Sequence, residues 1–352
     1  MSRWTDIMLI CPHYQKNQRE GTFDGVTKYT DELIRSLQSF SPPLRLQLSQ
    51  LQTGPAYYLD ALAGFFAHRL EAQRKRPRLV HTLDWYIPRL DRRIPHVVTV
   101  HDLIMLGWKH NVRAWKSRVY ERALLAADHY IAISSSVAQT LQTQLGIAED
   151  RVTVVHHGVN PVFFQQQRVY TDAEKDIDLL FVSNILHRKN IQPLLEAVER
   201  LSRLGRPAKL TIIGRILEEE PPVLTKLQTL QEQGLVEMRS GLSEGELADT
   251  YARARLFISC SLEEGFGMPV LEAMAAGLPV ALSAIPVYQE IAGDHAVFFN
   301  PRAGDDLFAV VDSLLGNPAR RQRIAERNRA YSQQFSWDRC AERTLAVYER
   351  LL

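Results

Sequence analysis

Residues 257–283 read FISCSLEEGFGMPVLEAMAAGLPVALS, and the punctuation of this stretch decides the fold. The apolar run Leu256 to Cys260, flanked by polar residues, predicts a buried parallel strand. Ser261 to Gly267 is a loop, and Pro269 starts a helix, because a proline in the first turn gives up no needed N–H. Gly277 stops that helix where a left-handed residue is wanted, and Pro279 to Ser283 is a second apolar run. Strand, helix, strand in this spacing is the repeating unit of an α/β parallel sheet.

In such a unit the loop lies outside the carboxyl end of the strand, where open α/β sheets place their ligands. The helix N-terminus there carries about half a positive charge and several N–H groups without intrahelical partners. Gly265 and Gly267 let a phosphate approach the backbone. Two carboxylates border this seat: Glu264 just before the glycines, and Glu272 at the start of the helix. Carboxylates repel phosphate but accept hydrogen bonds from hydroxyls beside it. A nucleotide sugar, with its diphosphate between two sugars, suits the arrangement. A glycine-rich turn between a core strand and a core helix is the plainer reading of the same residues.

Glu264 and Glu272, with seven residues between them that include Gly265-Phe266-Gly267-Met268-Pro269, resemble the signature of the retaining glycosyltransferases of family 4, and of bacterial group 1, mannosyltransferase-like members in particular. The resemblance runs from Ile7 to the terminal helix. It implies the GT-B fold: two Rossmann-like, doubly wound parallel-sheet domains facing across a cleft. It also implies a C-terminal helix that crosses back to the first domain. The expected boundaries are 1–170 for an acceptor domain, 171–334 for a nucleotide-sugar domain and 335–352 for the returning helix.

Composition agrees with two soluble-type cores: 352 residues, 45% hydrophobic and 23% charged. Cys11, Cys260 and Cys340 are too few and too scattered for a disulfide framework or a zinc site, which favours a reducing compartment. The polar start Met1 to Asp6 lacks the layout of a signal peptide, and no apolar run is long enough to span a membrane. A cytoplasmic location is therefore expected. Residues 1–170 carry 21 Lys and Arg against 14 Asp and Glu, and the remainder 21 against 26. That asymmetry suggests that one side meets an anionic partner.

In chain order, Ile7 to Cys11 is the first strand, the glycine-bearing segment Pro12 to Val26 its loop, and about Thr27 to Leu37 a helix with Tyr29, Leu33 and Leu37 on one face. The family usually pairs two glycines in that loop; Asp24-Gly25 keeps only Gly25, which is either a donor-phosphate contact or plain loop. Asp60 to Arg69 has helical spacing with Phe65 and Phe66, and Arg74, Lys75, Arg76, Arg78, Arg89, Arg92 and Arg93 follow. Aromatics beside cations suit either a solvated face or a peripheral contact with an anionic membrane, here the inner face of the plasma membrane. No nucleic-acid motif is present.

Further strands are predicted at Leu79 to Thr82, Val97 to Val100, Tyr130 to Ile133 and Val152 to Val155, with Ser134 to Ser136 capping a helix that ends at Gly146. His101 closes the second of these strands; it either caps the strand end or, as the resemblance implies, lies near the transferred sugar or the acceptor. His156 and His157 are a loop pair with no third metal ligand at matching spacing. Gln165 to Lys175 is the expected linker. In the second half, strands are expected at Leu179 to Ser183, Lys209 to Ile213 and Val236 to Arg239, and a helix from about Ile191 to Leu204. Arg188 and Lys189, between strand and helix, are placed to neutralise a diphosphate. The family often has Gly-Arg where Ser183-Asn184 stands, so one arginine is missing. Asn184, Gly214 and the Gly241-Leu242 backbone are expected to border the ligand, and Ser243 and Glu246 form a capping box. Glu290 and Gly293 are expected in a loop.

The resemblance implies transfer of a hexose, mannose ahead of glucose, from GDP-mannose or UDP-glucose to a hydroxyl of a glycan or lipid-linked glycan in cell-envelope polysaccharide synthesis. The anomeric configuration is retained. Arg188, Lys189 and the helix N–H groups would stabilise the departing diphosphate. Glu264 would hold sugar hydroxyls and Glu272 the ribose. No cofactor and no metal is implied; Asp176-Ile177-Asp178 precedes its strand and reads as surface charge. A GT-B sugar-nucleotide epimerase or phosphorylase, and a catalytically silent nucleotide-sugar-binding partner, remain open.

Overall fold

The computed structural model describes residues 7–11, 25–39, 46–48, 69–83, 89–103, 121–122, 124–165 and 170–352. The segment around Phe65 and Phe66, most of the loop 12–26, and 166–169 of the expected linker lie outside them. The chain forms two compact units, 1–158 with 336–352 and 159–335.

The first unit runs β1 (Ile7–Ile10), α1 (Gly25–Ser39), β2 (Leu46–Leu48), β3 (Leu79–Thr82), β4 (His96–Val100), β5 (His129–Ala132), α2 (Ser135–Leu145) and β6 (Val152–Val154). Its sheet is parallel throughout, in the order β2-β1-β3-β4-β5-β6. β1, β3, β4 and β5 are buried at every residue, as strands covered on both faces must be. Ser134 accepts a hydrogen bond from Val137 N (3.2 Å) and starts α2; Gly146, at φ 64°, ends it. The terminal helix α10 (Trp337–Leu351) belongs to this unit and packs on α1. Trp337, Cys340, Ala341, Thr344, Val347 and Tyr348 form its buried face. Gly158 meets it so closely that a Cβ there would lie 2.2 Å from Trp337 N.

The second unit holds β7 (Ile177–Val182), α3 (Gln192–Arg203), β8 (Leu210–Ile213), α4 (Pro221–Glu232), β9 (Val236–Arg239), α5 (Glu244–Arg253), β10 (Ala254–Ser259), α6 (Met268–Ala275), β11 (Val280–Ser283), α7 (Pro286–Ala292), β12 (Val297–Phe299), α8 (Gly304–Leu315) and α9 (Pro318–Ser332). The order β12-β11-β10-β7-β8-β9 is again all parallel. The chain winds one way from β7 to β9 and the other from β10 to β12. The switch point therefore falls between β7 and β10, and the loops leaving those two strands open onto it. Leu194, Leu195, Val198 and Leu201 of α3 pack against Leu179, Phe181, Leu210 and Ile212, each such burial stabilising by about 1.5–3 kcal/mol.

Three expectations are corrected. The chain changes unit after Gly158, ahead of position 170, because 159–165 is built into the second unit: Asn160 Nδ2 donates to Glu244 (2.9 Å) and Phe163 packs edge-on to Tyr251. Residues 170–175 are anchored, with the Tyr170 hydroxyl on Asp249 (2.8 Å) and Asp172 held by both Arg321 NH2 bonds (2.7 and 2.8 Å). Glu290 lies in α7, not in a loop, because Pro286 opens a helix that runs to Ala292.

Candidate functional site

The β10–α6 connection follows from its glycines and proline. Gly267, at φ 105°, turns the chain left-handed into α6, and a Cβ there would stand 2.7 Å from Cε1 of Tyr288. Only glycine fits. Pro269 occupies the first turn, so the N–H groups at the helix start stay without intrahelical carbonyls. Gly277, at φ 69°, ends the turn after α6, where Asn328 Nδ2 of α9 donates to Leu278 O (2.9 Å).

The β7 loop arrives beside it. His187–Lys189 is a single tight helical turn closed by Asn190 in the left-handed region (φ 49°). Asn190 Nδ2 donates to Pro301 O (2.9 Å) and Cys260 O (3.3 Å), and Leu262 N donates to Arg188 O (2.8 Å). These bonds fasten the basic turn to the end of β10. Arg188 NH1 then reaches Glu264 Oε2 at 3.0 Å, and Lys189 Nζ bonds Glu264 Oε1. Ser261 Oγ (2.8 Å) and the Tyr288 hydroxyl (3.2 Å) also donate to Oε1, and Tyr288 is bridged to Ser259 (2.7 Å). Burial pushes the Glu264 carboxyl up, but Lys189 and Arg188 outweigh it and hold it below the usual carboxylate range. Burial and the Glu264 charge raise the Tyr288 phenol well above its ordinary value, so it stays a donor.

Glu264, Arg188 and Lys189, three of the sequence candidates, thus form one cluster at the switch point. Two cations share one carboxylate. Glu272 is buried on α6, and its Oε2 accepts from the Tyr251 hydroxyl at 3.1 Å. Phe266 is buried too, so any contact it makes with a ligand falls to its backbone. Gly265 is buried and Met268 half-buried. Asn184 Oδ1 accepts from Arg215 N (2.9 Å), and Gly214 lies against the preceding loop, where a Cβ would come within 2.1 Å of Ser183 O. Gly241, at φ 74°, delivers Leu242 to the capped start of α5, where Ser243 and Glu246 complete the capping box. Asp176 and Asp178 pair with Arg253 and Arg255 at the amino end of the sheet.

Tyr288, Ser261 and Asn190 hold the cluster yet are absent from the sequence candidates. The signal for Asn190 was local, since asparagine tolerates left-handed φ after a helical turn. Tyr288 is joined to Glu264 only through the fold.

In the first unit Gly25 opens α1, exposed. His101 follows β4, buried, with Nε2 bonded to Leu83 O at 2.9 Å. Its ring meets Tyr29 edge-on at 4.9 Å, and Tyr29, His157 and Trp337 stack at 4.8 and 5.7 Å. His157 is thus part of a ring stack, and burial drives its pKa well below the ordinary value. A polar chain lies beneath: Tyr29 to Thr99 (3.0 Å), Thr99 to His81 (2.8 Å) and His81 to Tyr348 of α10 (2.6 Å). Of the basic cluster, Arg89 pairs with Asp128 and Arg93 with Asp91. Among the described residues no helix is long and apolar enough to cross a membrane.

Comparison with known proteins covers both units. A family model described as glycosyltransferase family 4 matches residues 6–163, and one described as glycosyl transferases group 1 matches 163–331. An MMP alpha-(1->4)-mannosyltransferase of Mycolicibacterium hassiacum is 31% identical over 73% of this chain and 66% of its own length. An O-antigen chain mannosyltransferase B of Escherichia coli is 31% identical over 49% of this chain and 45% of its own. The chain thus spans less than two-thirds of either relative. The solved sucrose-phosphate synthase of Thermosynechococcus elongatus superposes with a TM-score of 0.78 over 99% of both chains, at 19% identity. Anabaena Alr3699/HepE, solved in complex with UDP-glucose, gives 0.74 over 98% of this chain and 99% of its own, at 15% identity. Both agree with the GT-B fold expected from the sequence.

Proposed function

We propose that this chain, which belongs to glycosyltransferase family 4, transfers a hexose from a nucleotide diphosphate sugar to a hydroxyl of a glycan or lipid-linked glycan acceptor, with retention of anomeric configuration. The observation that carries the proposal is the joint hold of Arg188 and Lys189 on Glu264 beside the start of α6. A diphosphate arriving there meets two cations that converge on one carboxylate. It draws both guanidinium and ammonium toward its oxygens, and the helix N–H groups take the remaining charge. The Ser261 and Tyr288 hydroxyls keep Glu264 in place meanwhile, so its carboxylate turns to the sugar hydroxyls. As the sugar–phosphate bond breaks, negative charge grows on the leaving group, and Arg188 and Lys189 stabilise the transition state more than the bound donor.

Glu272 receives ribose hydroxyls, Gly241-Leu242 and Gly214 border the nucleotide, and Asn184 shapes the loop beside it. His101 is assigned to the sugar or the acceptor. No carboxylate is cast as a covalent nucleophile. The leaving phosphate itself takes the acceptor proton as the new bond forms on the same face.

Mannose from GDP-mannose is favoured, because the two relatives are named as mannosyltransferases; UDP-glucose is second, because the Anabaena protein was solved with it. An acceptor in envelope polysaccharide synthesis is consistent with the O-antigen relative. The reaction proceeds without metal, at the cytoplasmic side of the membrane. The test is release of nucleoside diphosphate from each donor with and without oligosaccharide acceptors, with the product linkage read by proton NMR. Acceptor-dependent release, an α-linked product from an α-linked donor and full rate in chelator are expected. Release independent of acceptor, an inverted linkage or loss of rate in chelator would each overturn the corresponding part.

A further inference from the structure

At the amino end of the edge strand β12, far along the chain from the loops just described, a groove of about 400 Å³ lies between the 294–297 segment and α9. Arg320, Arg323 and Arg327 line it. Their spacing of three and four puts them on one face of α9. Ala296, Val297 and Ile324 supply apolar surface between them.

These three arginines lack the carboxylate partner that several others of the unit have. Residues 159–335 carry 23 acidic against 19 basic side chains, so carboxylates are plentiful. Several other arginines of the unit are paired: Arg200 with Asp305, Arg206 with Asp312, Arg255 with Asp178 and Arg321 with Asp172. Arg320 instead donates to Ser313 Oγ (3.0 Å), and Arg327 makes a long bond to Asp294 O (3.4 Å). Among the described residues no carboxylate lies within ion-pair distance of Arg320, Arg323 or Arg327. The Asp294 carboxylate also lines the groove and opposes them, leaving three positive charges against one negative. His295 stacks on Tyr331 at 4.0 Å; burial and Arg327 lower its pKa, so it adds no charge at neutral pH.

We propose that this groove is a second anion site, for a phosphate-bearing ligand, distinct from the Glu264 cluster. Guanidinium groups bind phosphate through paired N–H donors, and three on adjacent turns match a diphosphate better than a single carboxylate. The apolar strip accommodates the organic part of such a ligand. The phosphate belongs either to a free soluble molecule or to a lipid headgroup.

Calorimetric titration of the full chain with pyrophosphate tests the site. Two binding events are expected in the wild type. Arg323→Gln/Arg327→Gln should lose one, with at least tenfold weaker binding there, while keeping its melting temperature. Lys189→Ala should lose the other. If the double variant binds with unchanged affinity and stoichiometry, or if Lys189→Ala abolishes all binding, the proposal is overturned. Flotation with phosphatidylglycerol vesicles against phosphatidylcholine vesicles separates the sources. Flotation lost in the double variant assigns the lipid, pyrophosphate binding without flotation assigns a free ligand, and neither overturns the site. The groove and the donor cluster fail independently, because each variant disables one alone.

Discussion

Replacing Glu264 by glutamine keeps the side chain's shape and removes the charge that Arg188 and Lys189 share. The Glu264 side chain is 11% exposed and that of Lys189 13%. Breaking an ion pair in so dry a place costs about 3–5 kcal/mol, since the abandoned ion stays desolvated. Arg188 is 27% exposed and regains water, and Ser261 and Tyr288 still donate to the amide oxygen, so the lower end, about 3 kcal/mol, applies. Lys189→Met alone costs less, about 2 kcal/mol, because Arg188 and the two hydroxyls remain on the carboxylate. With both changed, no stranded ammonium is left. The double variant should then lose less than the sum, with a coupling of about 1.5–3 kcal/mol. Urea unfolding followed by far-UV circular dichroism measures all four corners of this cycle. A Glu264→Gln cost under about 1 kcal/mol, or a cycle additive to within about 0.5 kcal/mol, would refute the pairing on which the site is built.

Three further outcomes are expected. Asn190→Ala forfeits the bonds to Pro301 O and Cys260 O and forces alanine to φ 49°, costing about 2–4 kcal/mol; Asn190→Gly should recover the backbone part but not the turnover lost through a displaced Lys189. Equal stability of the two variants would contradict the left-handed assignment. Gly267→Ala meets both a φ of 105° and the ring of Tyr288 at 2.7 Å, so a loss of about 2–4 kcal/mol is expected in the same unfolding assay, and a stable variant would mean that the α6 entry is not as described. The third concerns acid. Burial lowers His81 to about 3, His96 to about 4 and His129 to about 4, from 6.5. The unfolded chain therefore takes up protons below pH 6.5 that the folded one refuses, and stability falls with pH down to about 4, by up to about 1.4 kcal/mol per pH unit for each group. Trp337, buried in α10, reports it by fluorescence: the urea midpoint should be lower at pH 5 than at pH 7.5, and a flat profile would contradict burial of these rings.

Much of this was legible because it is local. Gly267, Pro269 and Gly277 write the entry, first turn and exit of α6 within one short stretch; Ser134 and Gly146 bound α2, and Ser243 and Glu246 start α5. Runs such as Ile7 to Ile10 are apolar enough to be buried strands. What escaped notice depends on distance or on polarity. α9 is so rich in arginine that no apolar stripe announces it, and its buried Arg321 and Asn328 act by bonding the carbonyls of Leu314 and Leu278. Gly158 is glycine because α10, some 180 residues later in sequence, starts against it. Within the site, the charges of Glu264, Arg188 and Lys189 could be read singly. That both cations converge on one carboxylate follows from β7 and β10 being neighbours, a property of strand order that no residue of the loops encodes.

The proposed chemistry stands most directly on Lys189. The turnover number for acceptor-dependent diphosphate release from a saturating sugar nucleotide should fall about 10²–10³-fold in Lys189→Ala, as for removal of one donor to a developing negative charge, while the fold and the binding of acceptor persist. A variant that turns over within about threefold of the wild type would place the leaving diphosphate elsewhere and contradict the account.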